Sequence, residues 1–240
     1  MGERVASGAS GAGGAGGDVN VALHTSVAML YNNLVTRPTG RAVRIAIEQR
    51  IEEIPGPCLS ILDFSHVGVI DFSCADEVVA KLLRQYRGSD RPSEAYFVLQ
   101  GVSEHHREPI ETVLRRHNLL LVAVEGGRAA LWGPAPARLR TAWDWLEQLG
   151  RTVTDEFASA RGLSSGTACS WLKRLVSWRV AVPEGRERLA SLTAALDQGT
   201  AYGQPSSLEI GPYRAAAEGH AGYGDEAGGA DRDRRWQLPI

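Results

Sequence analysis

Cysteine is scarce in this chain, three in 240 residues, and Cys58, Cys74 and Cys169 lie far apart. Neither a disulfide framework nor a cysteine-based zinc site is expected from so few, and a reducing cytoplasm fits the count. Long apolar runs are also missing. The longest, Leu119–Val124, falls far short of the roughly 20 residues that a membrane-spanning helix requires. The N-terminus has no basic stretch followed by an apolar core, so no secretory leader is predicted. Charge of one sign is absent too: 26 basic and 28 acidic residues leave a net charge of −2. What remains, 43% hydrophobic and 22% charged, is the composition of a soluble globular protein.

The 27 glycines are unevenly spread, with seven in residues 1–17 and eight in residues 199–240. Segments of that kind bury too little apolar surface to offset chain entropy, so both ends are predicted to be disordered. Between them, residues 18–133 carry 12 basic and 14 acidic side chains, whereas residues 134–198 carry 9 and 7. That shift divides the folded part into 18–133 and 134–198.

In the first part, strands are expected at Val19–Leu23, Leu59–Phe64, Ala95–Leu99 and Leu119–Val124, with an edge strand over Ala129–Trp132 after a Gly126-Gly127 turn. Helices are expected over Ala42–Ile54, from about Ser73 to Tyr86, and over Glu108–His117 with Pro109 in its first turn. Alternating strands and helices predict an α/β fold with a mainly parallel sheet and covering helices.

Two pairs of residues invite catalytic or metal readings. His105 and His106, with Glu104 and Glu108, lack the four-residue spacing of a zinc-binding helix, and a solvated loop is expected there. Asp63 and Asp71 fall near one sheet end and would pass for an acid–base pair. No phosphate-binding glycine loop or nucleophile elbow accompanies them, so no enzyme, no cofactor and no metal is expected.

The segment Ile61-Leu-Asp-Phe-Ser-His-Val-Gly-Val-Ile-Asp-Phe-Ser-Cys-Ala-Asp-Glu-Val-Val-Ala-Lys-Leu-Leu83 resembles the signature of STAS domains, over roughly residues 19–132. The variant here is most similar to a prokaryotic STAS-like branch of unassigned activity. In the anti-sigma-factor antagonists of that family a partner kinase phosphorylates the second serine of the motif. The resemblance therefore implies Ser73 as a phosphorylation candidate and Asp71, Phe72 and Asp76 as partner-docking residues, with a kinase or anti-sigma factor as partner. Phe72 stands where the family has its first serine, and Cys74 where it has glycine. On the residues alone Ser73 has a second reading, which they favour. It sits at a helix N-terminus, where it would cap the free amides with Asp76 three residues on. A phosphate there would gain from the helix end but be repelled by Asp71, Asp76 and Glu77.

The second part predicts helices over Arg138–Leu149 with Gly150 as stop, over Thr154–Arg161, and from Ser165 to about Trp178 with Ser164 as cap. Gly162-Leu163 separates the last two, the layout of a helix-turn-helix. Phe157-Ala158…Gly162-Leu-Ser-Ser-Gly-Thr-Ala…Leu172-Lys-Arg-Leu175 resembles winged-helix regulators, with Val180-Ala-Val182 in the place where a wing would open. A wing hairpin is not evident, because Leu189–Leu196 reads as a helix. On that resemblance Ser165, Thr167 and Ser170 approach base edges, Trp171 follows them, and Lys173, Arg174 and Arg179 meet phosphates. Residues 150–182 carry a net charge of +3, a weak footprint that a homodimer would double. The other reading is a helical bundle whose Trp143, Trp145, Trp171 and Trp178 serve as packing residues.

The sequence thus predicts a STAS-like α/β domain joined to a small, mostly helical winged-helix-like domain, acting in transcriptional regulation through a protein partner and DNA. The alternative is a protein-interaction module of a partner-switching cascade that binds no DNA. A small-ligand sensor using the sheet-end crevice is a third reading.

Overall fold

A computed structural model describes Val19, residues 21–197 and the backbone of residues 200–202. The expectation of disorder over 1–17 and from 203 onward lies outside the described residues.

The apolar runs read from the sequence become β1 (Val21–Ser26), β3 (Cys58–Asp63), β5 (Ala95–Gln100) and β6 (Leu121–Glu125). Two short strands, β2 (Asn33–Leu34) and β4 (Val69–Ile70), pair in parallel beside them. β7 (Arg128–Trp132) returns antiparallel to β6 through Gly126 and Gly127, whose φ of 55° and 77° suit a tight hairpin. β11 (Thr200–Tyr202) pairs in parallel with β1, so residues 200–202, expected in a disordered tail, close one edge of the sheet. The resulting order is β11-β1-β3-β5-β6-β7, all parallel except β7.

Strand side chains alternate between two cores. Phe97 and Leu99 of β5 join one cluster, while Tyr96 and Val98 join the other. The first core is closed by α1 (Arg37–Glu52), by the continuous turns α2 (Phe72–Ala75), a π-helical segment Asp76–Lys81 and α3 (Leu82–Arg87), and by α4 (Glu104–His117). α1 presents Val43, Ile47 and Ile51 at helical spacing. At Gly40, an added Cβ would lie 2.9 Å from Cys74 Cα, which is how α1 and α2 approach so closely.

α4 begins four residues earlier than expected, which places Pro109 inside the helix and His105 and His106 in its first turn rather than in a solvated loop. The reason is a local cap. Ser103 N–H donates to His106 Nδ1 at 3.2 Å, and the ring, 1% exposed, meets Phe64 edge-on at 6.0 Å.

The second core is built by the C-terminal part: α5 (Ala137–Leu149), β8 (Arg151–Val153), α6 (Thr154–Arg161), α7 (Ser165–Ser177), β9 (Ala181–Glu184), β10 (Arg188–Ser191) and α8 (Leu192–Leu196). Leu139, Trp143 and Leu146 of α5, Phe157 of α6 and Leu172 and Leu175 of α7 pack in one cluster with Leu59, Tyr96, Val98 and Val122 of the sheet. The helix expected over Leu189–Leu196 is therefore two elements. Residues 188–191 bond on both edges, to β9 and β8, and this double ladder outweighs the helical spacing of Leu189, Leu192 and Leu196. Ser191 then caps α8 by accepting from Ala194 N–H at 3.1 Å.

Candidate functional site

The bend after β3 is fixed by backbone bonds at both ends. Phe64 N–H donates to Gln100 O at 2.8 Å, and Asp71 N–H donates to Leu34 O at 2.8 Å. α2 then starts at Phe72. Its cap is Asp71, whose Oδ1 accepts from Cys74 N–H at 2.7 Å. Ser73 was expected to cap with Asp76; instead Ser73 lies within the helix and its hydroxyl donates to Asp71 at 2.9 Å. A carboxylate one residue before the helix reaches the free amides, and a hydroxyl already inside it cannot. Burial acts to raise the Asp71 pKa, but the bonds from Cys74 and Ser73 outweigh it and hold the carboxyl below its usual range.

Phe72 is 50% exposed, and Val35 and Val69, on and beside the β2–β4 ladder, are exposed too. Asp76 does not present itself to a partner as expected. Its carboxylate meets His117 Nε2 at 2.7 Å and Arg37 at 3.2 Å, tying the π-helical segment to α4 and α1. Its neighbour Glu77 is buried and takes up Lys81 at 2.5 Å and Arg37 at 3.0 Å. Asp63 and Asp71 are held by separate donors, Asp63 by Ser65 at 2.6 Å and Asp71 as described. Among the described residues no group of three or more His, Cys, Asp and Glu side chains is placed to hold a metal ion.

The second candidate surface is formed by α6, α7 and the β9–β10 hairpin. α6 ends at Gly162 in the left-handed conformation, φ 62°, and Leu163 N–H donates back to Ala158 O at 2.9 Å. Thr154 opens α6 as its first residue, and Glu156 accepts from Val153 N–H at 3.4 Å. Ser164 caps α7 by accepting from Thr167 N–H at 3.3 Å.

Ala168, Leu172 and Leu175 turn inward, while Ser165, Ser170, Lys173 and Arg174 are exposed. Thr167 is half-buried, its hydroxyl 2.9 Å from that of Ser164, and Ser165 donates to Asp155 at 3.1 Å. Trp171, expected on the DNA-facing side, stacks on Trp145 with ring centres 5.7 Å apart. Arg179, expected to meet phosphate, turns the other way. It bonds Tyr86 O at 3.1 Å and Glu94 Oε2 at 2.5 Å, and its guanidinium lies 4.5 Å from the centre of the Tyr96 ring. Beside it Arg87 covers the face of Trp178 at 3.8 Å. Trp143 and Trp178 are buried, so the four tryptophans of this part act in packing.

The hairpin itself contributes two cations that the sequence reading passed over, Arg186 and Arg188, on either side of Glu187. Glu184-Gly185 was the available signal: Gly185 has φ 61°, the value that lets three residues reverse the chain between paired Glu184 and Arg188. The side chains of Lys173, Arg174, Arg186 and Arg188 have no hydrogen-bond or ion-pair partner among the described residues. By contrast Arg151 pairs with Glu184 at 3.1 Å, and Arg161 bonds Gln148 at 2.8 Å and lies over Trp145. Among the described residues no helix is long and apolar enough to cross a membrane. A scan against models of known protein families gives no match, and a search of curated proteins gives none either.

Proposed function

We propose that the chain is a cytoplasmic regulator in which a STAS-like α/β part docks a protein partner and a winged-helix-like part binds duplex DNA. The observation that carries this reading is the outward face of α7 beside the β9–β10 hairpin, where the side chains of Lys173, Arg174, Arg186 and Arg188 have no partner among the described residues. Helix, left-handed turn, capped helix and two-stranded hairpin follow one another as in winged-helix DNA readers. Ser165 and Ser170 lie on the exposed side with hydroxyls suited to base edges, and the four cations are suited to phosphates.

Fluorescence anisotropy with a random duplex pool tests it. Four phosphate contacts correspond to a log–log salt slope of about −3.6, so affinity falls about 150-fold between about 50 and 200 mM salt. Lys173→Ala or Arg186→Ala each lowers the slope by about 0.9. Absence of binding at about 10 μM protein in about 50 mM salt overturns the DNA half, since even non-specific binding reaches about that range.

A protein-interaction module is the second reading, and the exposure of Val35, Val69 and Phe72 next to the Asp71–Ser73 bend favours it. In a partner-switching cascade Ser73 carries phosphate in some growth states. Phosphopeptide mass spectrometry on protein from its native cells detects that, and an unmodified Ser73 in every state removes the switch.

A further inference from the structure

We propose that the groove between α7 and the β9–β10 hairpin is a binding site for a small organic anion with an apolar, ring-sized body. The groove is open to solvent along one side and has a volume of about 560 Å³, within the range of small-molecule sites. Val176 of α7 and Pro183 and Leu189 of the hairpin, each partly exposed, supply apolar lining over the buried Leu172. Lys173, Arg186 and Arg188 also line it, and none of their side chains has a partner among the described residues. Two acids reach the same groove, Asp155 and Glu187, and Asp155 already accepts a hydrogen bond from Ser165. The balance is therefore positive, and the cations stand beside a surface that phosphate alone would not use.

The two features together select the ligand class. A neutral apolar molecule would leave three cations unanswered, and an inorganic anion would leave the apolar lining wet. A carboxylate or sulfonate on an aromatic or branched aliphatic body satisfies both, with guanidinium groups suited to two-point contact on an oxyanion. Lys173 stands on both the groove side and the exposed side of α7, so an occupant engages a cation that the DNA reading also uses. The site itself does not depend on that reading.

Cys169 lines the groove and provides the readout. Cys58 and Cys74 are buried, and burial pushes each thiol up to about 11, so an alkylating reagent at about pH 8 reports on Cys169. The full-length chain is treated with iodoacetamide in the presence of naphthalene-2-sulfonate or the neutral naphthalen-2-ylmethanol, and the modified peptides are followed by mass spectrometry. The sulfonate is expected to slow Cys169 alkylation about fivefold at four times its dissociation constant. The neutral ring is expected to slow it less than about twofold at the same concentration. Lys173→Ala combined with Arg186→Ala raises the half-protecting sulfonate concentration about tenfold, the effect of losing two exposed ion pairs. Arg138→Ala, an exposed arginine on α5 away from the groove, leaves it unchanged. Circular dichroism confirms that each variant is folded. The proposal fails if millimolar sulfonate gives no protection, if the neutral ring protects equally, or if Arg138→Ala matches the double variant. No nucleic acid is present, so failure here and failure of DNA binding are separate results.

Discussion

Replacing Arg179 tests the joint between the sheet and the end of α7. Its side chain is 13% exposed and that of Glu94 32%. Removing one member of a buried ion pair costs about 3–5 kcal/mol, because the other charge is left without a partner. Two facts reduce that here. Glu94 is about a third exposed, and Arg91 Nε still donates to it at 2.5 Å. A loss of about 1–2 kcal/mol for the pair is therefore expected, with about 0.5–1 kcal/mol more for the guanidinium over Tyr96. Arg179→Ala should destabilise by about 1.5–3 kcal/mol, read as a lower urea midpoint with little change in slope. Backbone geometry adds a second, independent comparison. Arg179 has φ 62°, a conformation that costs a side chain-bearing residue about 1 kcal/mol. Arg179→Gly loses the same contacts but relieves that strain, so it should be more stable than Arg179→Ala by up to about 1 kcal/mol, less the extra freedom of glycine in the unfolded chain. A double-mutant cycle of Arg179→Ala with Glu94→Ala isolates the pair. A coupling below about 0.3 kcal/mol, or a glycine variant less stable than the alanine variant, would refute this account of the joint.

Asp71→Ala removes the cap of α2 and the acceptor of Ser73, and should cost about 1 kcal/mol, a drop of about 2–4 °C in Tm by calorimetry; Asp71→Asn should keep most of the stability. Gly40→Ala would gain up to about 1 kcal/mol in an exposed helix, but its Cβ would stand 2.9 Å from Cys74 Cα and 3.1 Å from Glu77 Cβ. Overpacking of about 1–3 kcal/mol wins, so urea titration should show a less stable protein. Burial acts to raise the pKa of Asp71, Asp76, Glu77 and Glu94, yet hydrogen bonds and neighbouring cations leave all four below their ordinary values. Groups depressed in the folded state stabilise it fully above their unfolded pKa and cease to do so as pH falls through the folded one. The urea midpoint should therefore decline from about pH 5 downward, and Glu77→Gln, although less stable at neutral pH, should show a shallower decline.

The parts of this fold that were legible in the sequence are those decided by neighbours along the chain. The turn at Gly126-Gly127 needs positive φ twice in succession, and no other residue pair nearby offers it. Ser164 after Gly162-Leu163 marks one helix end and the next helix start within three residues, and α6 and α7 begin and end within a residue of where the pattern puts them. Continuous apolar runs such as Ala95–Leu99 announce a strand covered on both faces. What covers the second face was not legible, because Phe157, Leu172 and Leu175 join the same apolar cluster as Tyr96 and Val98 from some sixty residues or more along the chain. The same limit governs the capping choice at the bend. Asp71 and Ser73 are two positions apart and both are good caps by composition; the bond from Asp71 N–H to Leu34 O, between segments far apart in the chain, holds Asp71 where its carboxylate caps Cys74 N–H.

Charge shows the limit most sharply. A count over residues 150–182 finds five cations and treats them as one surface. In the fold Arg151 is joined to Glu184, Arg161 to Gln148 and the Trp145 face, and Arg179 to a glutamate 85 residues earlier in the chain. Three of the five are engaged inside the protein, and their charge contributes to stability rather than to recognition. Of the five, only Lys173 and Arg174 have no side-chain partner among the described residues; beside them stand Arg186 and Arg188, which lie beyond residue 182. Net charge is a property of composition, whereas an available charge is a property of tertiary structure, since an arginine reaches a ligand only where no carboxylate or carbonyl of its own chain has claimed it first. Mutating Arg151 and mutating Arg186 change the formal charge equally. The first should appear in a denaturation curve, and the second in the salt dependence of the DNA binding proposed above.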